Sequence, residues 1–101
     1  MKVRILQSAF DDLDDGAAFY EEQQPGIGGY FIDSLLSDID ALALYGGIHR
    51  VIHDYHRALS KRFPYALYYR INGECVVVHA VLDCRRNPRW TARQLRRRTK
   101  T

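Results

Sequence analysis

The chain reads as a small α+β protein, with a helical hairpin packed on one face of a mainly antiparallel sheet. Three observations predict this. Apolar residues recur at helical spacing through roughly the first 45 residues. Residues 55–82 are instead rich in Val, Tyr, Ile and Leu and lack that spacing. Asn72-Gly73 lies between two such β-rich runs and is the strongest short hairpin signal in the sequence.

The elements follow in order. Lys2 to Leu6 is short, apolar in part and ended by a polar pair, which predicts a first strand. Ser8 stands where a helix N-cap belongs, with Asp11 three residues on in the capping-box position. Phe10, Leu13, Ala17 and Tyr20 make the stripe of that helix, and Asp11, Asp12, Asp14 and Asp15 crowd its first turns, where the helix dipole favours anions. Gln23-Gln24-Pro25-Gly26 ends it. Ile27, Phe31, Leu35, Ile39 and Leu42 predict a second helix over residues 27–44, antiparallel to the first. Tyr45-Gly46-Gly47 stops it, and residues 46–54 read as a connecting loop.

Three antiparallel strands are expected next: Tyr55–Ser60, Tyr65–Ile71 and Glu74–Leu82. A two-residue turn at Asn72-Gly73 sets Ile71 opposite Glu74, Tyr69 opposite Val76, Leu67 opposite Val78 and Tyr65 opposite Ala80. Those positions share the face assigned to the core. The other face carries Ala66, Tyr68, Arg70, Cys75, Val77, His79, Val81 and Asp83, and is expected to be open. Asn87-Pro88 is an N-cap followed by proline at the first helical position, so a short C-terminal helix runs from Pro88 to about Arg98. Only Trp90 and Leu95 offer it apolar contacts, which makes it marginal alone.

At 101 residues the chain suits one compact domain. No stretch approaches the roughly eighteen apolar residues of a membrane span. The N-terminus lacks the pattern of a secretory signal, so a cytoplasmic protein is expected. Cys75 and Cys84 match no zinc or redox spacing and read as free thiols. The net charge of +3 hides a division. Residues 1–48 hold two cations against nine carboxylates, a balance of −7, and residues 49–101 hold thirteen against three, or +10. Such a split steers acidic partners to the second half, unless the two halves simply pair with one another.

Arg57, Arg62, Arg70, Arg85 and Arg86 converge in this register near the open face and the end of the sheet, with Tyr68 and Trp90 as flat surfaces beside them and Arg93 on the following helix. Arginines interleaved with aromatics suit phosphates and bases, so these eight residues are the candidate target- or nucleic-acid-binding set. His79 sits mid-strand on the same face, either as a general base or as a hydrogen-bonded edge of the cleft. His49, His53 and His56 lack a supporting ligand pattern, so neither a metal nor another cofactor is expected.

The segments Arg62-Phe63-Pro64-Tyr65-Ala66-Leu67-Tyr68-Tyr69-Arg70-Ile71, Val76-Val77-Val78-His79-Ala80-Val81-Leu82 and Arg85-Arg86-Asn87-Pro88-x-Trp90 resemble the RelE/ParE family, the toxin halves of bacterial type II toxin–antitoxin modules, also called plasmid-stabilisation proteins. The resemblance spans almost the whole chain. It implies a cognate antitoxin, often with an acidic segment that is disordered when free, for which a basic half provides long-range attraction. RelE-like members cut mRNA on the ribosome, whereas ParE-like members poison DNA gyrase and cut nothing. The sequence departs from the nuclease pattern. Ala66 stands where a catalytic arginine is expected, and Trp90 follows the exit where a tyrosine is expected. Arg86 alone matches the second catalytic arginine. Losing two such groups removes several kcal/mol, on the order of what single electrostatic donors contribute. The resemblance therefore favours the ParE-like branch and a gyrase target. In the nuclease alternative, Arg86, Arg62 and His79 would be the catalytic residues, with ribosome and mRNA as partners. A member that only binds its antitoxin or nucleic acid is the remaining alternative.

Overall fold

The structure is a computed structural model that describes residues 1–99. Strand β1 (Lys2–Ile5) leads into helices α1 (Gln7–Gln23) and α2 (Ile27–Tyr45). Strands β2 (Val51–Ile52), β3 (Tyr55–Leu59), β4 (Tyr65–Asn72) and β5 (Cys75–Asp83) follow, and helix α3 (Pro88–Thr99) ends the described chain. The sheet order is β1-β5-β4-β3-β2. β1 pairs with β5 in parallel, and the other pairings are antiparallel.

The helical hairpin covers one sheet face. The expected α2 stripe is present, with Phe31, Leu35, Ile39 and Leu42 all buried against Leu67, Tyr69, Val76, Val78 and Val81. Each fully buried side chain of this size contributes about 1.5–3 kcal/mol. Tyr20, Phe31, Phe63 and Tyr65 close one end of this core as an aromatic cluster, with ring centroids 4.8 Å apart for Tyr20–Phe63 and 4.9 Å for Phe31–Tyr65. The two helices approach closely at Gly28, where a Cβ would lie 2.8 Å from the Ala17 carbonyl oxygen. Glu21 serves the start of α2, since its carboxylate accepts the amides of Gly26 at 3.0 Å and Gly28 at 2.9 Å, groups a helix start otherwise leaves unpaired.

α1 begins earlier than expected. Leu6, not Ser8, is its N-cap, and no side chain caps it. The Ser8 hydroxyl instead donates to the His79 carbonyl at 2.7 Å. The aspartates consequently lie beyond the first turn, and the buried positions shift to Ala9, Leu13 and Gly16, with Phe10 exposed.

The hairpin register also differs from expectation. Asn72 pairs with Cys75, so the two turn residues are Gly73 and Glu74. Gly73 has φ +62°, as the first turn residue of a type II′ hairpin requires. Further along, Tyr69 opposes Val78 while Tyr68 opposes Ala80, which leaves His79 as the extra residue of a β-bulge. A bulge flips everything beyond it. Val81 therefore joins the core beneath the helices and Ala80 turns to the other face, the reverse of the expected alternation.

The loop expected over residues 46–54 contains β2 and a tight turn. His53 (φ 53°) and Asp54 (φ 69°) join the paired residues Ile52 and Tyr55. Two consecutive positive φ values make this a type I′ turn built without glycine.

Candidate functional site

The second sheet face was expected to be open, and its centre is not. α3 crosses it, and Leu95 packs fully buried against Tyr55, Ala66, Tyr68, Ala80 and Leu82, with Trp90 half-buried beside them. The helix starts as the sequence indicates: the Asn87 carboxamide oxygen accepts the Arg89 amide at 2.8 Å. Its far end is held by Thr99, whose hydroxyl lies 3.0 Å from Tyr55 Oη. Docking on a small apolar layer thus supplies the stability that α3 lacks alone.

This cover redistributes the candidate residues. Tyr68 is only 4 % exposed and offers no stacking surface. Its hydroxyl accepts from Arg57 Nε at 3.2 Å, and the same guanidinium reaches Cys84 Sγ at 3.5 Å. Arg70 stacks over the Tyr55 ring at 4.2 Å and donates to the Asp54 carbonyl at 3.2 Å. Arg85 is bound to Asp83 at 2.9 Å and reaches Tyr20 Oη at 3.3 Å. Burial pushes the Asp83 carboxyl up, but the Arg85 hydrogen bonds outweigh it and hold the group below its ordinary value. Arg57, Arg70 and Arg85 are therefore committed within the fold. Arg62 stays exposed in the β3–β4 turn, at the sheet end where β5 leaves toward α3. Arg86 lies 4.0 Å over the Trp90 ring, and Arg93 is exposed. Three further exposed arginines of α3, Arg89, Arg96 and Arg97, were not among the candidates, because the register argument looked to the sheet and not to the helix that covers it.

The His79 ring lies on the face its alternation predicts, now covered by α3, edge-on to Tyr55 at 5.1 Å. Burial lowers its pKa, and the nearby charges of Arg70 and Arg98 lower it further, so the ring is neutral at pH 7. Its midpoint in an NMR titration is expected below 6.5. Between the lowered folded midpoint and the ordinary 6.5, the unfolded ring takes up a proton that the folded ring refuses. His79 therefore contributes stability above pH 6.5 that is lost as the pH falls through that window. The urea midpoint of the parent should drop between pH 7.5 and 5.5 by more than that of H79Q; an equal drop would place the effect elsewhere.

His49 and His56 serve the loop before β2. Tyr69 Oη accepts the Gly47 amide at 2.9 Å and lies 2.6 Å from His49 Nδ1. The His56 ring stacks on Tyr69 at 4.9 Å, and its Nδ1–H donates to the His49 carbonyl at 2.7 Å. No metal-binding cluster of His, Cys, Asp and Glu forms among the described residues.

Beyond the Leu6 amide, which donates to the Val78 carbonyl at 3.0 Å, no strand among the described residues pairs with β5 on its outer side, and side chains seal that edge. Asp12 accepts the Val81 amide at 2.9 Å. Arg98 grips the same carboxylate with both Nη atoms, one at 2.8 Å, and donates to the His79 carbonyl at 3.3 Å. A carboxylate and a guanidinium thus imitate the C=O and N–H of a missing strand. Burial raises the Asp12 pKa, against the pull of Arg98 and the Val81 amide. An open groove of about 410 Å³ runs alongside between α1 and α3, lined among others by Phe19, Asp83, Arg86 and Trp90. Among the described residues Arg98–Asp12 is the sole ion pair joining the acidic and basic halves, so the division of charge is not spent on internal pairing.

No family model and no curated protein matches the sequence. The structure is similar to a chain of the solved structure described as the chromosomal ParDE TA system from P. aeruginosa, with a TM-score of 0.72 and 14% identity. The match covers 80% of this chain and 92% of that one. The likeness extends to the fold, an α+β order of strand, helical hairpin, antiparallel strands and terminal helix.

Proposed function

We propose that this chain is the toxin of a type II toxin–antitoxin module, that it arrests growth by poisoning DNA gyrase, and that a cognate antitoxin in the same cytoplasm silences it. The fold likeness to a chain of a ParDE system carries the reading. The gyrase branch is favoured by two positions. Ala66 is 0% exposed within the layer beneath α3, so a side chain there would meet Tyr55 and Leu95 before any substrate. The Trp90 indole lies under Arg86 and has no ionisable hydroxyl to offer an in-line attack.

Induction in a host lacking the antitoxin is expected to stop growth, and co-expression of a cognate antitoxin to restore it. Purified protein should lower gyrase supercoiling and accumulate cleaved DNA–gyrase complexes. One observation keeps the nuclease reading as the second: the exposed Arg86 guanidinium is held in place by Trp90 at the position matching a catalytic arginine. Cleavage of ribosome-bound mRNA that disappears in R86A, with gyrase unaffected, would establish that branch instead. Harmless induction would leave a binding protein without toxic activity.

A further inference from the structure

We propose that the outer face of α3 binds the phosphate backbone of duplex DNA through Arg89, Arg93, Arg96 and Arg97. The inference goes beyond the toxin reading and does not rest on it. These four guanidinium groups are exposed and make no hydrogen bond or ion pair among the described residues, whereas Arg57, Arg70, Arg85 and Arg98 are all engaged. Their spacing of i, i+4, i+7 and i+8 puts them on one side of the helix. Eight residues at 1.5 Å each give a stripe about 12 Å long, which spans the rise of three to four nucleotides along one strand.

The stripe has no account in the stability of the helix. Arg89–Arg93 and Arg93–Arg97 are like charges at i,i+4, which destabilise a helix. Arg89 lies in the first turn, where the dipole disfavours a cation, and only the last-turn arginines complement it. Between Pro88 and Thr99 there is no carboxylate to offset them. A polyanion relieves all three costs at once.

Duplex is favoured over single strands because the stacking surfaces that single strands need are absent from this face. Tyr68 is buried, and the Trp90 ring is covered by Arg86. The acidic helical hairpin lies across the sheet and repels a polyanion, which confines the contact to α3.

The test is binding of the purified protein to a labelled 20-base-pair duplex of arbitrary sequence, followed by anisotropy. Four neutralised phosphates give a log–log salt slope of about −3.6, so affinity should fall roughly a hundredfold from 50 to 200 mM salt. The exposed-site variants R93Q/R97Q and R89Q/R96Q, melting no lower than the parent, should each halve the slope and weaken binding; R85Q, whose side chain is bound to Asp83, should do neither. The proposal is overturned if the duplex does not bind at 50 mM salt, if both double variants bind like the parent, or if a single-stranded RNA of equal length displaces the duplex. Growth arrest plays no part in the readout, so failure here and failure of the toxin reading are separate results.

Discussion

Replacing Asp12 by alanine is expected to lower the unfolding free energy by about 3–5 kcal/mol, the range for removing one partner of a buried ion pair. In a chain of this size that corresponds to a fall in Tm of more than about 12 °C. The variant removes the carboxylate gripped by Arg98, whose side chain is only 18% exposed, and leaves the Val81 amide without an acceptor. D12N keeps an acceptor for that amide and should cost less. The raised pKa of Asp12 reports a desolvation cost carried by the pair itself, so D12L/R98M should recover most of the loss. Thermal or urea unfolding decides it. An Asp12→Ala variant within about 1 kcal/mol of the parent would show that the edge seal contributes little.

Leu95→Ala should cost about 2–5 kcal/mol, as large-to-small changes at fully buried sites do. Leu95 is the one fully buried side chain of α3, which makes the consequence local as well as global. The helix is then expected to lift from Tyr55, Ala66 and Tyr68, while the larger core under the hairpin keeps its packing. Amide hydrogen exchange should accelerate most in residues 88–99 and least in β4 and β5 near Tyr69 and Val78. Uniform acceleration would mean that α3 and the sheet open as one unit. If the proposed growth arrest depends on α3, the variant should also lose it at temperatures where its sheet remains intact.

Elements whose signals are local were legible in the sequence. The α2 stripe of Phe31, Leu35, Ile39 and Leu42 is buried as the periodicity implies, and Asn87-Pro88 marks the start of α3. The fold class followed from those elements and their order. What failed needed information from across the structure. Ser8 has every local mark of a cap, yet a carbonyl 71 residues away takes its hydroxyl. The bulge at His79 has no local signature, and one extra residue there exchanged the faces of Ala80 and Val81. Gly73 was correctly placed in the turn but one position late, because Asn72 stays in the ladder. The candidate site shifted for a related reason. A sheet face can be declared open only when the elements that follow it are placed, and α3, read as a marginal tail, is what covers it. The arginines chosen on the strands were the ones the fold uses for its own contacts.

The unspent division of charge has one more consequence. With carboxylates concentrated on the helical hairpin and guanidinium groups on α3, the molecule is a permanent electric dipole set across the thickness of the sheet. In the field of a polyanion such a body experiences a torque before it makes any contact, so it arrives with one side already leading. The same dipole favours head-to-tail stacking of free copies at low ionic strength, and added salt disperses the stacks as the screening length falls toward 10 Å near 0.1 M, about a third of its value at 0.01 M.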